Sequence, residues 1–449
     1  MNQINIIKLK EHDSNNIINS SNFVIIESLP DIFMTLQQEC KTVESKELCD
    51  HICRAIIALS PDRKSYTKKL NQAVGAALAD LLLIAAKPAG TYLYRPRAMA
   101  HFTGQRIGYR VAIDALDGLL ALDYLYHSPG VWAGSKAQGE GDASRYRAKP
   151  NLLELALRFG ITPGNWKQHF VPAPRSPVLP HAIMVRAKRQ YWDSDEKGRI
   201  APFDKTDPAY ITAFEQVARI NTYMAPQAIT GCQHTGFRRI FNHGDQPNFA
   251  FNMGGRLYSV GDSYQNMEKG LRSGMRINGE PVVELDLRAS FLTIIYGLEG
   301  VTLRRDDDPY DIDALPRDVV KAWIAMTLGY DRFHSQWSLE TVSRAKRDGI
   351  DLPADYPIDT VRQAVLNKHP ALAGWKECPM RWPHLQYLES SAIIDAVELL
   401  GSVHDVCALP LHDALLVPIS KLATAQAVLT RTFKQRIGVE PVFTLKDAW

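Results

Sequence analysis

A chain of 449 residues is longer than a usual single-domain core, which predicts two or three domains. A hydrophobic share of 45% with 22% charged residues excludes a chain disordered throughout, and a net charge of +3 permits a nucleic-acid partner without requiring one. The six cysteines include no Cys-x-x-Cys pair, which argues against a disulfide framework or a zinc ribbon.

The first sixteen residues lack the apolar core and cleavage site of a signal peptide. The longest apolar stretch, Ala73–Ala86, is interrupted by Asp80 and too short to span a bilayer, so the reading is a cytoplasmic protein with no membrane partner. Residues 1–60 read as an N-terminal helical segment, with an apolar run at Phe23–Ile26 and a helical stretch from Pro30 to Leu59. Within it, Cys49 and Cys53 flank His51, a pattern that a buried helix face explains without zinc. Apolar spacing predicts a helix over Lys68–Ala86, ended by Pro88 and Gly90, and a second over Arg106–Leu120. Leu122–Tyr126 then alternates as a short strand, Ser128–Gly130 opens a glycine-rich polar stretch to Ser144, and Arg145–Ala148 forms another strand. Helix, strand, polar tip and basic strand resemble the recognition helix and wing of a winged helix-turn-helix domain, placed at 61–172. Arg95, Arg97, Arg106, Arg110, Lys136, Arg145, Arg147 and Lys149 supply positive charge for phosphate contact, although a solvated basic face would carry the same residues.

Residues 173–208 are rich in proline and charge and read as a linker or an irregular β region. A helix over Pro208–Met224 opens the last domain, 209–449. There Val282–Leu285 is a short β-favouring run that ends at Asp286 after the turn signal Asn278–Pro281. Pro410–Val417 sets His412-Asp413 between apolar flanks, as at a hairpin tip. A buried carboxylate at a strand end is costly unless a cation or donor compensates it. Between the two aspartates, Pro316–Tyr330 reads as a helix with Arg317 and Lys321 one turn apart on one face, two cations suited to a triphosphate tail. The run Asp306–Asp308 reads as helix capping rather than a third metal site.

An aspartate strand, an Arg-x3-Lys helix ending in Gly-Tyr and a His-Asp hairpin, in this order, resemble motifs A, B and C of the family A DNA polymerases and the single-subunit phage-type RNA polymerases. Gly255–Val260 with Lys269–Leu271 resembles the Asp-x-x-Gly-Arg region of the phage-type enzymes, with Asn252 where their aspartate stands. Leu385–Leu400 resembles the helix that precedes motif C. The resemblance covers about 238–420. It implies an α+β right-hand fold of palm, fingers and thumb, preceded by the mainly helical winged-helix-like domain. It also implies Asp286 and Asp413 as catalytic ligands of two Mg²⁺ ions, Arg317 and Lys321 on the incoming triphosphate, Tyr330 beside the nucleotide, and Arg256 and His412 on the nucleic acid.

Two positions depart from the pattern. Tyr330 lies nine residues after Lys321 instead of eight and follows Gly329, and one extra residue turns a regular helix by about 100°. Arg288 stands two after Asp286 in place of the usual serine. Five residues past the motif A aspartate, family A DNA polymerases carry a bulky side chain that clashes with a ribose 2′-hydroxyl, and the phage-type enzymes carry glycine. Phe291 occupies that position here and favours deoxynucleotides, although a core role would also suit it. The implied activity is template-directed nucleotidyl transfer, DNA synthesis ahead of RNA synthesis or priming, on a DNA template and primer with nucleoside triphosphates. Its setting would be replication of a mobile element, phage or plasmid. The alternative is a catalytically inactive, DNA-binding replication-initiation protein with a degenerate palm.

Overall fold

The computed structural model describes residues 31–59, 68–102, 105–130, 143–174, 179, 181–188, 198–261, 263–267, 269–304, 307–330 and 333–446. The fold is α+β, in two compact units, Met1–Pro174 and Arg175–Trp449. No described helix is long and apolar enough to cross a membrane.

The first unit begins with β1 (Ile32–Phe33), β2 (Gln38–Cys40), α1 (Val43–Ala58) and α2 (Lys68–Ala85). It continues through β3 (Leu93–Arg95), α3 (Tyr109–Ala121), β4 (Leu125–Ser128), β5 (Ser144–Ala148), α4 (Pro150–Arg158), α5 (Trp166–His169) and β6 (Phe170–Pro172). Thr42 caps α1 through a reciprocal pair of bonds with Ser45. Leu48, Ile52 and Ile56 recur one turn apart on its buried face, and Cys49 and Cys53 share that face, as expected. Against α1 lies α3, whose Gly118 has no room for more: a Cβ there would come within 2.6 Å of the Ile56 side chain. Most of α2 is buried all round, which marks it as the central helix.

Pro30–Leu59 was expected to be helical throughout, yet β1 and β2 precede α1. Part of the reason is long-range: the buried Asp80 of α2 accepts the Leu36 N–H at 2.8 Å and the Thr35 hydroxyl at 3.2 Å, so this backbone is held by tertiary bonds. Met34, Leu36 and the buried face of α1 thus share one core with α2 and the elements that follow it, as far as Phe170. The sheet order is β1-β3-β5-β4, with β4 and β5 antiparallel from Leu125↔Ala148 to Ser128↔Arg145. Most of the glycine-rich tip, including Lys136, lies outside the described residues, as does Phe23–Ile26.

The second unit runs β7 (Ile183–Val185), α6 (Pro208–Met224), β8 (Ile229–Thr230), β9 (Phe237–Phe241), β10 (Gly254–Ser259), β11 (Arg276–Ile277) and β12 (Glu280–Leu287). After these come α7 (Ser290–Leu298), α8 (Arg317–Gly329), α9 (Leu339–Arg347), α10 (Leu352–Asp355), α11 (Ile358–Lys368) and α12 (Trp382–His404). The hairpin β13 (Leu409–Leu411) and β14 (Ala414–Pro418), then α13 (Leu422–Ile437) and β15 (Phe443–Lys446), complete it. One sheet has the order β10-β9-β7, with β7 parallel to β9, so the stretch 173–208, read as a linker or an irregular β region, supplies a strand. The other sheet has the order β13-β14-β12-β11-β8, and β15 pairs with the C-terminal half of β12. That places β12 in the interior of its sheet, with β14 along one edge and β11 then β15 along the other.

Candidate active site

Asp286 sits one residue before the end of β12, opposite Ala414 on β14 and Thr444 on β15. Apolar neighbours explain its placement: Val282, Val283, Leu285 and Leu287 are buried and anchor the strand, while Asp286 stays half-buried at its end. His412-Asp413 is a two-residue turn between Leu411 and Ala414, as the hairpin signal predicts. The Leu287 N–H donates to the Asp413 carbonyl at 3.0 Å, which ties that turn to the end of β12. Two aspartates distant in sequence therefore stand together at one end of one sheet. His412 adopts φ +57°, a left-handed conformation that costs a non-glycine residue on the order of 1–3 kcal/mol and clusters at functional sites. Its ring pKa is held below the usual value by desolvation and by the nearby charge of Arg256.

Past β12 the chain turns through Arg288 and Ala289, the latter at φ +51°, and enters α7 at Ser290. Phe291 follows, with its ring 4.3 Å from that of Trp382 at the start of α12. Gly297 lets α7 approach α13, since a Cβ there would meet Ile437 at 2.8 Å. Asp286, Asp413, Phe291, Arg317, Lys321, Tyr310, Arg288 and Trp382 all line one cavity of about 360 Å³, a volume in the range of small-ligand sites.

Arg317 and Lys321 come from the first two turns of α8, both exposed towards solvent on the side the periodicity predicts. Arg317 donates through Nε to Asp308 at 2.7 Å, and its guanidinium lies 5.0 Å from the Tyr310 ring centre. Asp308 holds the guanidinium above its usual pKa; burial pushes the Asp308 carboxyl up, but Arg317 brings it below its ordinary value. The acidic run therefore does not cap α8, whose N-cap is Pro316. Instead Asp308 pairs with Arg317 and Asp307 with Lys368, because the loop folds back on both helices. Burial raises the Tyr310 phenol to about 12; Arg317 opposes this, and Asp308, Asp413 and Asp286 add to it. Tyr310 thus senses both aspartates and the cation at once.

The Tyr330 ring is not part of this lining. α8 ends at Gly329, Tyr330 turns to extended backbone, and its ring packs edge-on against His334 at 4.1 Å. Trp375 fixes that end by donating Nε1 to the carbonyls of Thr327 and Tyr330, each at 3.1 Å.

Arg256 of β10 is largely buried in an ion pair with Glu389, a fully buried carboxylate in the middle of α12. The Ser290 hydroxyl donates to the other Glu389 oxygen at 2.5 Å, so one side chain joins β10, α12 and the start of α7. Burial pushes the Glu389 carboxyl up against the pull of Arg256. Losing one partner of such a pair costs about 3–5 kcal/mol, which makes this node structural support for the turn beside Asp286. Sequence reading missed Glu389, Tyr310, Asp308 and Trp382. Asp308 was read as part of a capping run, and Glu389 is one of three acids, with Asp395 and Glu398, inside the otherwise uncharged Leu385–Leu400 run.

In the first unit the expected phosphate contacts divide. Arg110 is exposed on α3. Arg106 pairs with Glu39, Arg145 with Asp31, Arg97 with Asp117 and Lys149 with Asp123, while Arg147 donates to the Thr91, Lys87 and Pro88 carbonyls. Arg95 is a correction: it is buried, donates to the Met34 carbonyl and stacks between Phe33 and Phe102, so it serves the core.

Asp286 and Asp413 offer hard carboxylate oxygens, the donors Mg²⁺ takes one or two of before completing its shell with water and phosphate oxygens. Among the described residues no group of three or more His, Cys, Asp or Glu side chains converges. No protein-family model and no curated protein matches the chain.

Proposed function

We propose that this chain is a template-directed nucleotidyltransferase with a right-hand, family-A-like polymerase core, acting in replication of a mobile element, phage or plasmid. The observation that carries the reading is the meeting of Asp286, Asp413, Arg317, Lys321 and Phe291 in one cavity. Motif order along the chain and the meeting of these residues in one cavity both support the reading.

In this reading Arg317 and Lys321 neutralise the triphosphate of the incoming nucleotide as charge builds on the leaving pyrophosphate. The pairing of Arg317 with Asp308 and Tyr310 holds the guanidinium at the cavity before substrate arrives, so less side-chain entropy is lost on binding. Mg²⁺ ions held by Asp286 and Asp413 would activate the primer hydroxyl and neutralise the pyrophosphate. Phe291, braced by Trp382, would exclude a 2′-hydroxyl, which favours DNA as product.

The first unit is read as the DNA-binding domain. Its order α2, β3, α3, β4, β5, with β3 and β4 both antiparallel to β5, agrees with a winged helix whose recognition helix is α3. Arg110 on α3 is its exposed cation for phosphate contact. A primer-extension assay tests the whole reading: the full chain is expected to extend a primed DNA template with dNTPs when Mg²⁺ is supplied. Absence of incorporation with both dNTPs and NTPs across Mg²⁺ concentrations would leave the inactive initiation protein as the better reading.

A further inference from the structure

Three cysteines of the first unit stand together at its core. Cys40 ends β2, Cys49 and Cys53 lie one turn apart on the buried face of α1, and all three are free thiols. Gly75 of α2 leaves the space in which two of them meet: a Cβ there would come within 2.8 Å of Cys40 Sγ and 3.6 Å of Cys49 Sγ. The Cys49 sulfur lies 3.1 Å from the Asn71 carbonyl of α2, and its thiol hydrogen-bonds with Cys40. Cys49 and Cys53 are sealed from solvent, whereas Cys40 is only partly buried. Of the three, Cys40 is the one a small solute reaches.

Their surroundings give Cys40 and Cys49 opposite tendencies. The hydrogen bond from Cys49 holds the Cys40 thiol below its ordinary pKa; burial opposes it, Ser45 and the charge of Lys46 assist it, and Asp50 works against it. Hydrogen bonding to Cys40 and Cys53, together with burial, holds Cys49 well above the ordinary thiol value. An accessible sulfur inclined to ionise, with a protonated thiol against it, is the arrangement of a nucleophilic cysteine and its resolving partner. Packing of small apolar side chains would account for the sealed Cys49 and Cys53, but not for a part-exposed Cys40 held against Cys49.

We propose that Cys40 and Cys49 are a peroxide-reactive pair, in which Cys40 takes the oxidant and Cys49 closes a reversible disulfide between β2 and α1. The Cys40 thiolate attacks one oxygen of hydrogen peroxide, the O–O bond breaks, and the departing hydroxide joins the proton that Cys40 has shed, as water. Cys40 is then a sulfenic acid, oxidised by two electrons as the peroxide is reduced. The Cys49 sulfur attacks the Cys40 sulfur, the S–O bond breaks, and the departing hydroxyl takes the Cys49 proton to form a second water. Two thiols and one peroxide thus give one disulfide and two waters. The inference does not depend on the nucleotidyl-transfer reading.

The full chain, treated with a stoichiometric amount of hydrogen peroxide, quenched with N-ethylmaleimide and digested without reductant, tests this by mass spectrometry. A peptide pair joined through Cys40 and Cys49 is expected, and dithiothreitol should separate it. Cys232 and Cys378, also partly buried, serve as internal controls: Cys40 should be oxidised at least roughly tenfold faster than either. In Cys49→Ala, Cys40 lacks its resolving thiol, so its sulfenic acid should persist and be captured by dimedone. Oxidation of Cys40 no faster than that of Cys232 and Cys378 overturns the inference. So does a disulfide that joins Cys49 to Cys53 and leaves Cys40 reduced. Both results are read on the unaltered chain, so neither depends on the folding of the variant.

Discussion

In the proposed reading the choice of sugar rests on one ring, that of Phe291. It lines the cavity of the two aspartates, and Trp382 at 4.3 Å limits its retreat from a bulkier sugar. A Phe291→Gly variant is therefore expected to accept NTPs at least roughly tenfold better relative to dNTPs, read as the ratio of kcat/KM values. An unchanged ratio would assign the ring to packing alone. Asp80 makes a prediction of another kind. Burial in α2 raises its carboxyl to about 6, against an ordinary 3.8, so between those values the folded state binds more protons than the unfolded state. The raised pKa favours folding below about pH 4, and that gain is lost as pH rises through about 6, a difference of about 3 kcal/mol. Asp80→Asn retains an acceptor for Leu36 and Thr35 while removing the charge. It should raise the melting temperature at neutral pH and flatten its change between about pH 4 and 6. Parallel melting curves for both proteins across that range would contradict this.

At the scale of elements, α8 carries the two proposed triphosphate cations at its start and ends at Gly329, ahead of Tyr330. Trp375 draws the carbonyls of Thr327 and Tyr330 out of further helix, which leaves Tyr330 against His334. Tyr330→Ala should therefore leave the nucleotide KM within about twofold, since the ring packs on His334 and is not among the residues that line the cavity of the two aspartates. A tenfold rise would bring the ring back to the nucleotide. Where an element was set by its own residues, the sequence revealed it. Proline and the apolar period mark α6 from Pro208 to Met224, and valine-rich flanks with a turn signal mark β12. The pair Asp286 and Asp413 was legible because each stands at the end of a short apolar strand. Tyr310, Asp308 and Glu389 were not, because their roles arise only when a loop folds back on α8 or α12 crosses β10. β7 was legible only as one of two readings, a linker or an irregular β region, because three buried residues among prolines and charges carry a short pattern.

Across the whole molecule, the chain divides at Pro174 into two units with separate cores. Each has its own part in the account, DNA binding in the first and nucleotidyl transfer in the second. The second brings Asp286, Asp413, Arg317, Lys321 and Phe291 into one cavity, so the central claim stands or falls there. The most direct measurement is Mg²⁺-dependent single-nucleotide incorporation by Asp286→Asn, Asp413→Asn and the double variant. If the two carboxylates act as one unit, each single change should cost on the order of a thousandfold or more in kcat, and the double variant should be scarcely worse than either. Incorporation near the wild-type rate by Asp413→Asn, or losses that multiply in the double variant, would contradict the account.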